Sequence, residues 1–249
     1  MTLNNKTVLI TGASSGIGKA VGEKLLQINC NLILTARRND IIENWVNKLE
    51  NKKANILILK NDVINKSNVA QTFAKITEEF GNIDVAILNS GIGKNVTTQN
   101  FSSQIAEDII NTNFLGVVYW IEQLLPNMMK NKSGIIAPVS SLADNRGYSG
   151  SGFYCASKAA LSIFAEGLST DLAKFGIKVI TIKPGFVKTP MTDQNKFKMP
   201  FMISAKKAAE KIISGIEKEK TIIQFPFPTV LGAKIIGMLP NWVYRLIAK

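Results

Sequence analysis

The sequence predicts a doubly wound α/β fold, in which a mostly parallel sheet of seven strands carries helices on both faces. Short runs that are apolar on both faces alternate along the chain with amphipathic helical patterns. This order is typical of parallel strands joined by right-handed helical crossovers. The length of 249 residues is enough for one large domain with a buried core. We therefore expect a single domain over residues 1–249.

Strands are expected where apolar or β-branched residues stand together between polar or glycine-rich turns. They cover residues 7–11, 31–35, 56–59, 85–88, 134–139, 178–183 and 221–225. Helices are expected where apolar residues recur every three or four positions, as Ile17, Val21 and Leu25 do after the first strand. They run from near Gly16 to residue 27 and over residues 41–49, 67–80, 101–129 (one or two helices), 153–175 and 205–217.

The composition excludes several kinds of chemistry. The chain contains no histidine, which rules out a Ser-His-Asp triad and a histidine zinc site, and no metal site is expected. The net charge of +12 comes mostly from scattered lysines, with arginine only at Arg37, Arg38, Arg146 and Arg245, so we expect no nucleic-acid partner. Two cysteines and a polar chain start favour a reducing compartment without an export signal, and hence the cytoplasm.

A glycine-rich turn directly follows the first strand, where residues 11–18 are Thr-Gly-Ala-Ser-Ser-Gly-Ile-Gly. Glycines allow a tight turn and a close approach of the backbone to a phosphate, while the helix that follows offers free N–H groups and the positive end of its dipole. The spacing is neither Gly-x-Gly-x-x-Gly nor a Walker A loop. The turn predicts a pyrophosphate site, and the alternative is a glycine-rich connection without a ligand. The candidate contacts are Gly12, Ser14, Ser15, Gly16, Ile17 and Gly18.

The chain resembles the short-chain dehydrogenase/reductase family, whose cofactor motif matches the Thr-Gly-x-x-x-Gly-Ile-Gly turn. Further family motifs follow in order, so that the resemblance covers residues 5 to 192. They are Asp62, the Asn89-Ser90-Gly91 turn, Asn113, Ser141, Tyr154 to Lys158 and Pro184-Gly185. The resemblance implies a Rossmann fold, a nicotinamide cofactor and oxidoreductase activity, in a homodimer or homotetramer built on the long helices.

The end of the second strand indicates which nicotinamide cofactor is used. NAD-binding folds of this class carry an acid there that binds the ribose 2′-hydroxyl, whereas this chain has Thr35-Ala36-Arg37-Arg38. An arginine can pair with a 2′-phosphate, and one charge-assisted hydrogen bond supplies about ten- to hundred-fold preference. We therefore predict NADP(H), with Arg37 as the main contact and Arg38 or Ser14 assisting. The alternative is that both arginines are solvated loop charges.

A tyrosine and a lysine are the candidate proton-transfer groups. Tyr154 and Lys158 are four residues apart on a predicted helix and therefore share a face. Carbonyl reduction needs a proton donor beside the carbonyl oxygen, and a nearby ammonium is expected to lower the tyrosine pKa from its ordinary value of about 10. Ser141 follows the fifth strand and can donate to the substrate oxygen, with Ser140 as the weaker candidate.

The resemblance assigns further residues to the cofactor and the proton path. Asp62 and Val63 would flank the adenine, and Asn89 and Gly91 would line the ribose, although the family's usual Asn-Asn-Ala-Gly turn is Leu-Asn-Ser-Gly here. Asn113 would hold a water that links the active-site lysine to solvent. The residues expected around the nicotinamide are Tyr154, Lys158, Pro184, Gly185, Val187 and Thr189.

Two apolar segments are expected near the substrate. By resemblance residues 190–203, which are rich in Met and Phe, form a lid over a fairly apolar substrate, or else they pack on the body or on a neighbouring subunit. The apolar segment 225–249 is too interrupted to span a membrane. We expect it to close the pocket or to contact another subunit, and the alternative is a helix lying on a membrane surface.

Together these features predict an NADP(H)-dependent oxidoreductase that interconverts a carbonyl and an alcohol on a small, fairly apolar molecule. Two alternatives stay open: an NADP(H)-binding regulatory sensor, and a membrane-surface reductase of lipid-like substrates. A sensor would be expected to lack part of the catalytic set, whereas Asn113, Ser141, Tyr154 and Lys158 are all present.

Overall fold

The computed structural model describes residues 1–195 and 197–247, so Lys196 of the expected lid and the last two residues of the C-terminal segment lie outside the described residues. Strands and helices alternate through most of this range. The strands are β1 (Thr7–Thr11), β2 (Asn31–Ala36), β3 (Asn55–Lys60), β4 (Val85–Leu88), β5 (Gly134–Pro138), β6 (Ile177–Val179), β7 (Thr181–Pro184), β8 (Val187–Lys188), β9 (Ile203–Ser204) and β10 (Ile222–Phe225). The helices are α1 (Gly16–Leu25), α2 (Asn39–Asn47), α3 (Lys66–Phe80), α4 (Ser103–Ile110), α5 (Gly116–Asn131), α6 (Gly152–Ala173), α7 (Ala205–Glu217), α8 (Phe227–Met238) and α9 (Asn241–Ile247).

The main sheet is parallel and has six strands in the order β3-β2-β1-β4-β5-β6. In its centre Leu9 of β1 lies beside Ile33 of β2 on one side and beside Ala86 of β4 on the other. From β1 the chain crosses over to β2 and β3 on one side of the sheet, and it then returns to add β4, β5 and β6 on the other side. This reversal at β1 is typical of a doubly wound fold. The predicted fold class is therefore confirmed.

The expected number of seven strands in one sheet is wrong by one. The strand predicted over 178–183 is divided at Ile180 into β6, which pairs with β5, and β7, which pairs with β10 in a separate two-stranded sheet. A single bridge from Val139 to Ile182 joins β7 to the chain beyond β5. β5 ends at Pro138, which has no N–H to donate and so interrupts the ladder at that point.

The core consists of two apolar layers, one on each face of the main sheet. Alternate residues of a strand point to opposite layers, so that Ile10 packs with one layer and Leu9 with the other. Helices α1, α2 and α7 contribute to the first layer, and helices α3, α5 and α6 to the second. Because both faces are covered, ligands have access to the sheet only at the strand ends.

The expected helical stretch over residues 101–129 forms two helices that meet in a turn of π-helix, Asn111–Leu115. Such a turn contains one extra residue, which redirects the side chains that it carries, and it is frequently found at functional sites. Asn113 lies in this turn and is fully buried. The structure therefore places one predicted site residue at an irregularity that the helical pattern did not show.

Strand pairing holds the chain at both ends of the expected lid. Val187 of β8 pairs with Ile203 of β9, which closes the chain between them into a loop. Beyond β10, helices α8 and α9 form the C-terminal segment. Within the described ranges no helix combines the length and the apolar character that crossing a bilayer requires.

Candidate active site

A cavity of about 300 Å³ lies at the carboxyl ends of the parallel strands. All the predicted cofactor residues except Gly18 line it, and so do Ser141, Tyr154 and Lys158, whereas Asn113 lies behind the wall. The structure therefore brings together residues that are up to about 180 positions apart in the chain. Ser140 lines it too, and so do Pro190, Met191 and Thr192 of the expected lid. Residues that the sequence reasoning did not single out also line it: Ala36, Asn61, Ser90, Ile92, Thr112 and Val139. Most of them adjoin a strand end or a predicted motif, which is the signal that could have found them.

The glycine turn has the conformation that a phosphate cradle requires. Gly12 and Gly16 have φ of +69° and +59°, which residues with a side chain rarely adopt. A Cβ on Gly12 would also lie 3.0 Å from the Ser90 Cα. Helix α1 starts without a side-chain hydrogen bond at its N-cap, Ser15, so its first N–H groups point at the cavity without a capping partner. The turn therefore fits an anionic pyrophosphate.

Gly18 and Asn89 hold the turn in place. A Cβ on Gly18 would lie 2.5 Å from both the Gly12 carbonyl oxygen and the Asn89 Nδ2, so only glycine allows this approach. The Asn89 side-chain amide donates to the carbonyl oxygens of Thr11 and Gly12 at 3.0 and 3.2 Å. Part of Asn89's hydrogen-bonding capacity is therefore used in shaping the turn.

The far end of the cavity carries positive charge. Arg37 and Arg38 line the wall after β2 and are exposed, and neither forms an ion pair with an acid in residues 1–195 or 197–247. Asp62, on the same wall, accepts a hydrogen bond from the Ile64 N–H at 3.3 Å. The two guanidinium groups are thus available to an anionic ligand.

Lys158 is a buried cation. Only 4% of the residue is exposed, and its Nζ donates to the Val139 carbonyl oxygen at 2.7 Å. Burial lowers the pKa of Lys158 from 10.5 to about 8, because the charged form loses hydration.

The Tyr154 pKa differs from the expectation drawn from the sequence. Tyr154 is half-buried in the cavity wall, and the loss of hydration raises its pKa above the ordinary value of 10.0, while a hydrogen bond with the Ser141 hydroxyl acts in the opposite direction. The lysine Nζ lies 5.8 Å from the centre of the tyrosine ring. The expectation that Lys158 sets the tyrosine below its ordinary pKa is therefore wrong for the protein alone, since burial dominates.

The two neighbouring serines have different roles. Ser140 is 2% exposed, and its Oγ donates to the Lys158 carbonyl oxygen at 2.9 Å and lies 2.8 Å from the Ser162 Oγ. The Ser141 Oγ accepts from the Ala143 N–H at 3.1 Å, which leaves its own hydrogen available to the Tyr154 oxygen or to a ligand in the cavity. Ser140 thus supports the helix, and Ser141 is the serine that can reach a substrate.

An ion pair that sequence reasoning missed lies behind these serines. The Lys183 Nζ lies 2.7 Å from the Asp144 Oδ2, and the side chains of Asp144 and Lys183 are 8% and 19% exposed. The Ser162 hydroxyl donates a further hydrogen bond to the same Oδ2. This network ties the turn after Ser141 to α6 and to β7. No local motif signals it, because its members come from three elements.

Asn113 joins the loop after β4 to α6. Its side chain accepts from the Ile92 N–H at 2.8 Å and donates to the Ile92 carbonyl and the Ser157 Oγ at 2.9 and 3.0 Å. A Cβ on Gly91 would lie 3.3 Å from the Asn113 Oδ1 and 3.5 Å from the Lys158 Nζ. The two polar groups therefore flank the same glycine at the back of the cavity.

The lid segment contributes its first three residues, Pro190 to Thr192, to the cavity wall. Met191 lines the cavity, and a Cβ on Gly93 would lie within 3.8 Å of both its sulfur and the Tyr154 ring. Phe197 contacts the ring of Phe186 but remains 55% exposed. The segment therefore covers the tyrosine end of the cavity only in part.

The comparisons with known proteins agree with this geometry. A family model for short chain dehydrogenases matches residues 6–199. An uncharacterized oxidoreductase of Myxococcus xanthus is 30% identical over 247 residues, which cover 99% of this chain and 98% of that protein. An NADP-dependent 3-hydroxy acid dehydrogenase of Schizosaccharomyces pombe is 30% identical, with 98% of each chain covered. A short chain dehydrogenase/reductase from Burkholderia phymatum, solved in complex with NAD, has the same fold, with a TM-score of 0.86, 22% identity and coverage of 100% of this chain and 97% of that one.

The chain therefore belongs to the short-chain dehydrogenase/reductase family. It is an oxidoreductase of that family, which acts on the CH–OH groups of small molecules with a nicotinamide dinucleotide as cofactor.

Proposed function

We propose that the protein is an NADP(H)-dependent oxidoreductase that interconverts a carbonyl and an alcohol on a small, fairly apolar molecule. The observation that carries this proposal is a single cavity with Ser141, Tyr154 and Lys158 in its wall at one end and Arg37 and Arg38 at the other. The uncapped start of α1 lies between them. This order matches the order of parts in a dinucleotide, with the reactive ring at the serine and tyrosine, the pyrophosphate at the start of α1 and the adenosine end at the arginines.

The residues present fit such a cofactor. The positive φ of Gly12 and Gly16 opens the turn to a pyrophosphate, Asp62 and Val63 form an adenine wall, and Val187 lies with Pro184, Gly185 and Thr189 at the opposite end. When bound, the nicotinamide would supply or accept a hydride. Tyr154 would give the proton to the substrate oxygen or take it back, and Ser141 would donate a hydrogen bond to that oxygen.

Lys158 has a distinct role in this scheme. With a pKa of about 8 it is mostly protonated at neutral pH, and its charge favours the ionised form of the tyrosine. Burial works against that ionisation, as the raised pKa of Tyr154 shows. The lysine thus limits the energy needed to remove the tyrosine proton. Asn113 donates a hydrogen bond to Ser157, and this bond positions the helix that carries Tyr154 and Lys158.

The preference for NADP(H) rests on the charge at the end of β2. A 2′-phosphate would meet two exposed arginines and no acid at that strand end. The Schizosaccharomyces pombe relative is an NADP-dependent dehydrogenase, which supports the phosphorylated cofactor, whereas the Burkholderia phymatum protein was solved with NAD. The relatives therefore do not decide between NADP(H) and NAD, and the proposal depends on Arg37 and Arg38 of this chain.

Replacing Tyr154 by Phe tests the reaction. We expect the initial rate of NADPH oxidation with a panel of aldehydes and ketones to fall by about a thousand-fold, because the proton donor is lost while the ring remains. NADPH binding, followed by quenching of tryptophan fluorescence, should stay within about two-fold of the unchanged protein.

Tyr148→Phe is the matched control for that experiment. Tyr148 is a partly buried tyrosine near the same helix that does not line the cavity, so its loss should leave the rate unchanged. Turnover by Tyr154→Phe at the rate of the unchanged protein would refute the assignment. Tight NADPH binding without turnover of any panel member would favour a sensor instead.

Replacing Arg37 by Ala tests the cofactor. The affinity for NADPH should fall by about ten- to hundred-fold, and that for NADH should change little, because only NADPH carries the 2′-phosphate. Arg245→Ala, an exposed arginine on α9, serves as the control for a general loss of positive charge. Equal affinities for NADPH and NADH in the unchanged protein would contradict the preference.

We also propose that the protein is cytoplasmic and forms a homodimer or homotetramer through its long helices. Both cysteines are buried and not bonded to each other, which suits a reducing compartment. Ile163 on α6 is 71% exposed, so a long helix offers an apolar contact. Sedimentation of the unchanged protein and of Ile163→Asp would test the assembly.

A further inference from the structure

The outer face of the C-terminal helices carries large apolar side chains. On α8 they recur at helical spacing, and on α9 two more stand four residues apart. Six of them are between 49% and 85% exposed: Phe227, Leu231, Ile235, Met238, Trp242 and Leu246. We call this set the C-terminal stripe. Single exposed apolar residues are ordinary, but a set of six on consecutive helices marks a surface that binds something apolar.

The inner side of these helices is held firmly to the domain. Arg146 donates to the Asn241 Oδ1 at 2.8 Å and to main-chain oxygens at the α8–α9 junction, and its guanidinium lies 4.9 Å from the centre of the Tyr244 ring. The Tyr244 hydroxyl donates to the Gly147 carbonyl at 2.7 Å. The helices therefore have a defined inner side, and the stripe is their fixed outer side.

The charge around the stripe has one sign. Residues 221–249 contain no aspartate or glutamate but include Lys234, Arg245 and Lys249. Lys234 and Arg245 are exposed next to the stripe. All the acids of the chain lie at or before Glu219 in the sequence.

We propose that the C-terminal stripe docks on the surface of an anionic lipid bilayer. Apolar side chains enter the boundary between headgroups and acyl chains, while the adjacent cations contact anionic headgroups. Trp242 is suited to this boundary because its ring is apolar at one edge and carries an N–H at the other.

A second copy of the chain fits the stripe less well. In a symmetric dimer the same patch faces itself, which brings Lys234 and Arg245 of one copy towards those of the other. Like charges at a partly desolvated contact repel, and the segment contains no acid to pair with them. An anionic surface would attract Lys234 and Arg245, so this repulsion does not arise there. The proposal does not depend on the reaction that the enzyme catalyses.

Vesicle flotation with the full chain tests the proposal. The protein is mixed with phosphatidylcholine vesicles that contain about a third phosphatidylserine, and separately with phosphatidylcholine alone. We expect it to float with the first and to stay largely unbound with the second. Raising the salt to about 1 M, where the Debye length is about 3 Å, should weaken the binding.

Variants separate the apolar and charged contributions. Leu231→Ser with Ile235→Ser should lower the partition coefficient about a hundred-fold, because two buried side chains are lost from the lipid contact. Lys234→Gln with Arg245→Gln should lower it about ten-fold on anionic vesicles only. Ile222→Ser, which removes a similarly exposed side chain (48%) from β10, should not change the partition coefficient.

Fluorescence gives a second readout that does not need separation. Trp45 and Trp120 are buried, whereas Trp242 is 70% exposed. Binding should therefore shift the emission of Trp242 to shorter wavelength and protect it from acrylamide. Three outcomes would overturn the proposal: no flotation, equal flotation with both kinds of vesicle, or a dimer in sedimentation that the Leu231→Ser and Ile235→Ser pair dissociates.

Discussion

In most proteins apolar side chains are buried and polar ones are exposed. The active-site wall and the C-terminal helices depart from this distribution in two different ways. Around the cavity polar groups are buried: Lys158 and Asn113 are at most 4% exposed, and each has main-chain hydrogen-bond partners. On α8 and α9 large apolar groups are exposed. The buried polar groups of the first region have their hydrogen-bond partners within the chain. The second lacks partners for its outer face, so the comparison suggests chemistry in one region and association in the other.

The largest effect is expected where the buried charges behind the cavity are disturbed. Asp144→Asn leaves Lys183 without its carboxylate partner, so the free energy of unfolding should fall by about 3 kcal/mol in urea denaturation. The turnover number should also fall, by about ten-fold, because the turn after Ser141 loses its link to α6 and β7.

A double variant distinguishes the lost pair from a general defect. Lys183→Met added to Asp144→Asn removes the unpaired charge and should restore about half of the lost stability. An additive loss in the double variant would mean that the two charges do not interact. In that case the buried polar network would not be what stabilises this region.

A smaller effect is expected from the pH dependence of stability. The folded pKa of Lys158, about 8, lies below its ordinary value of 10.5, so the unfolded chain keeps this proton to higher pH. The free energy of unfolding should therefore rise with pH, by about 1 kcal/mol between about pH 7 and pH 9.

The comparison protein for this measurement is Lys158→Met. Burial raises the pKa of Cys30 from 9.0 to about 11, and this group acts in the opposite direction above pH 9. It is present in both proteins and cancels in the difference. A rise of the same size in Lys158→Met would show that Lys158 is not the group that titrates.

The smallest effect is expected at the exposed helices. Leu231→Ser should change the free energy of unfolding by at most about 0.5 kcal/mol, because 49% of the residue is already exposed in the folded chain. Val230→Ala, one residue earlier on the buried side of α8, should cost about 1.5 kcal/mol. A large loss for Leu231→Ser in the isolated chain would mean that the stripe stabilises the fold itself.

Much of the candidate site could be predicted because its residues lie in short local motifs. Tyr154 and Lys158 share a helical face by their spacing alone, and the glycine turn follows the first strand directly. The choice of Ser141 over its neighbour has a physical reason that only packing shows, since the Ser140 hydroxyl is used by the Lys158 carbonyl. Asp144 could not be predicted, because Lys183 is distant in sequence and the ion pair forms only when the turn after Ser141 and β7 come together.

The sequence by itself determined the doubly wound fold, the position of the phosphate turn and the basic end of the second strand, because periodicity, glycines and charges act over a few neighbouring residues. The tertiary structure decided the rest. It divided the strand predicted over 178–183 at Ile180, raised the pKa of Tyr154 by desolvating it, and left the C-terminal stripe exposed at the surface. Burial and partnership depend on which elements pack together, and no local pattern specifies that.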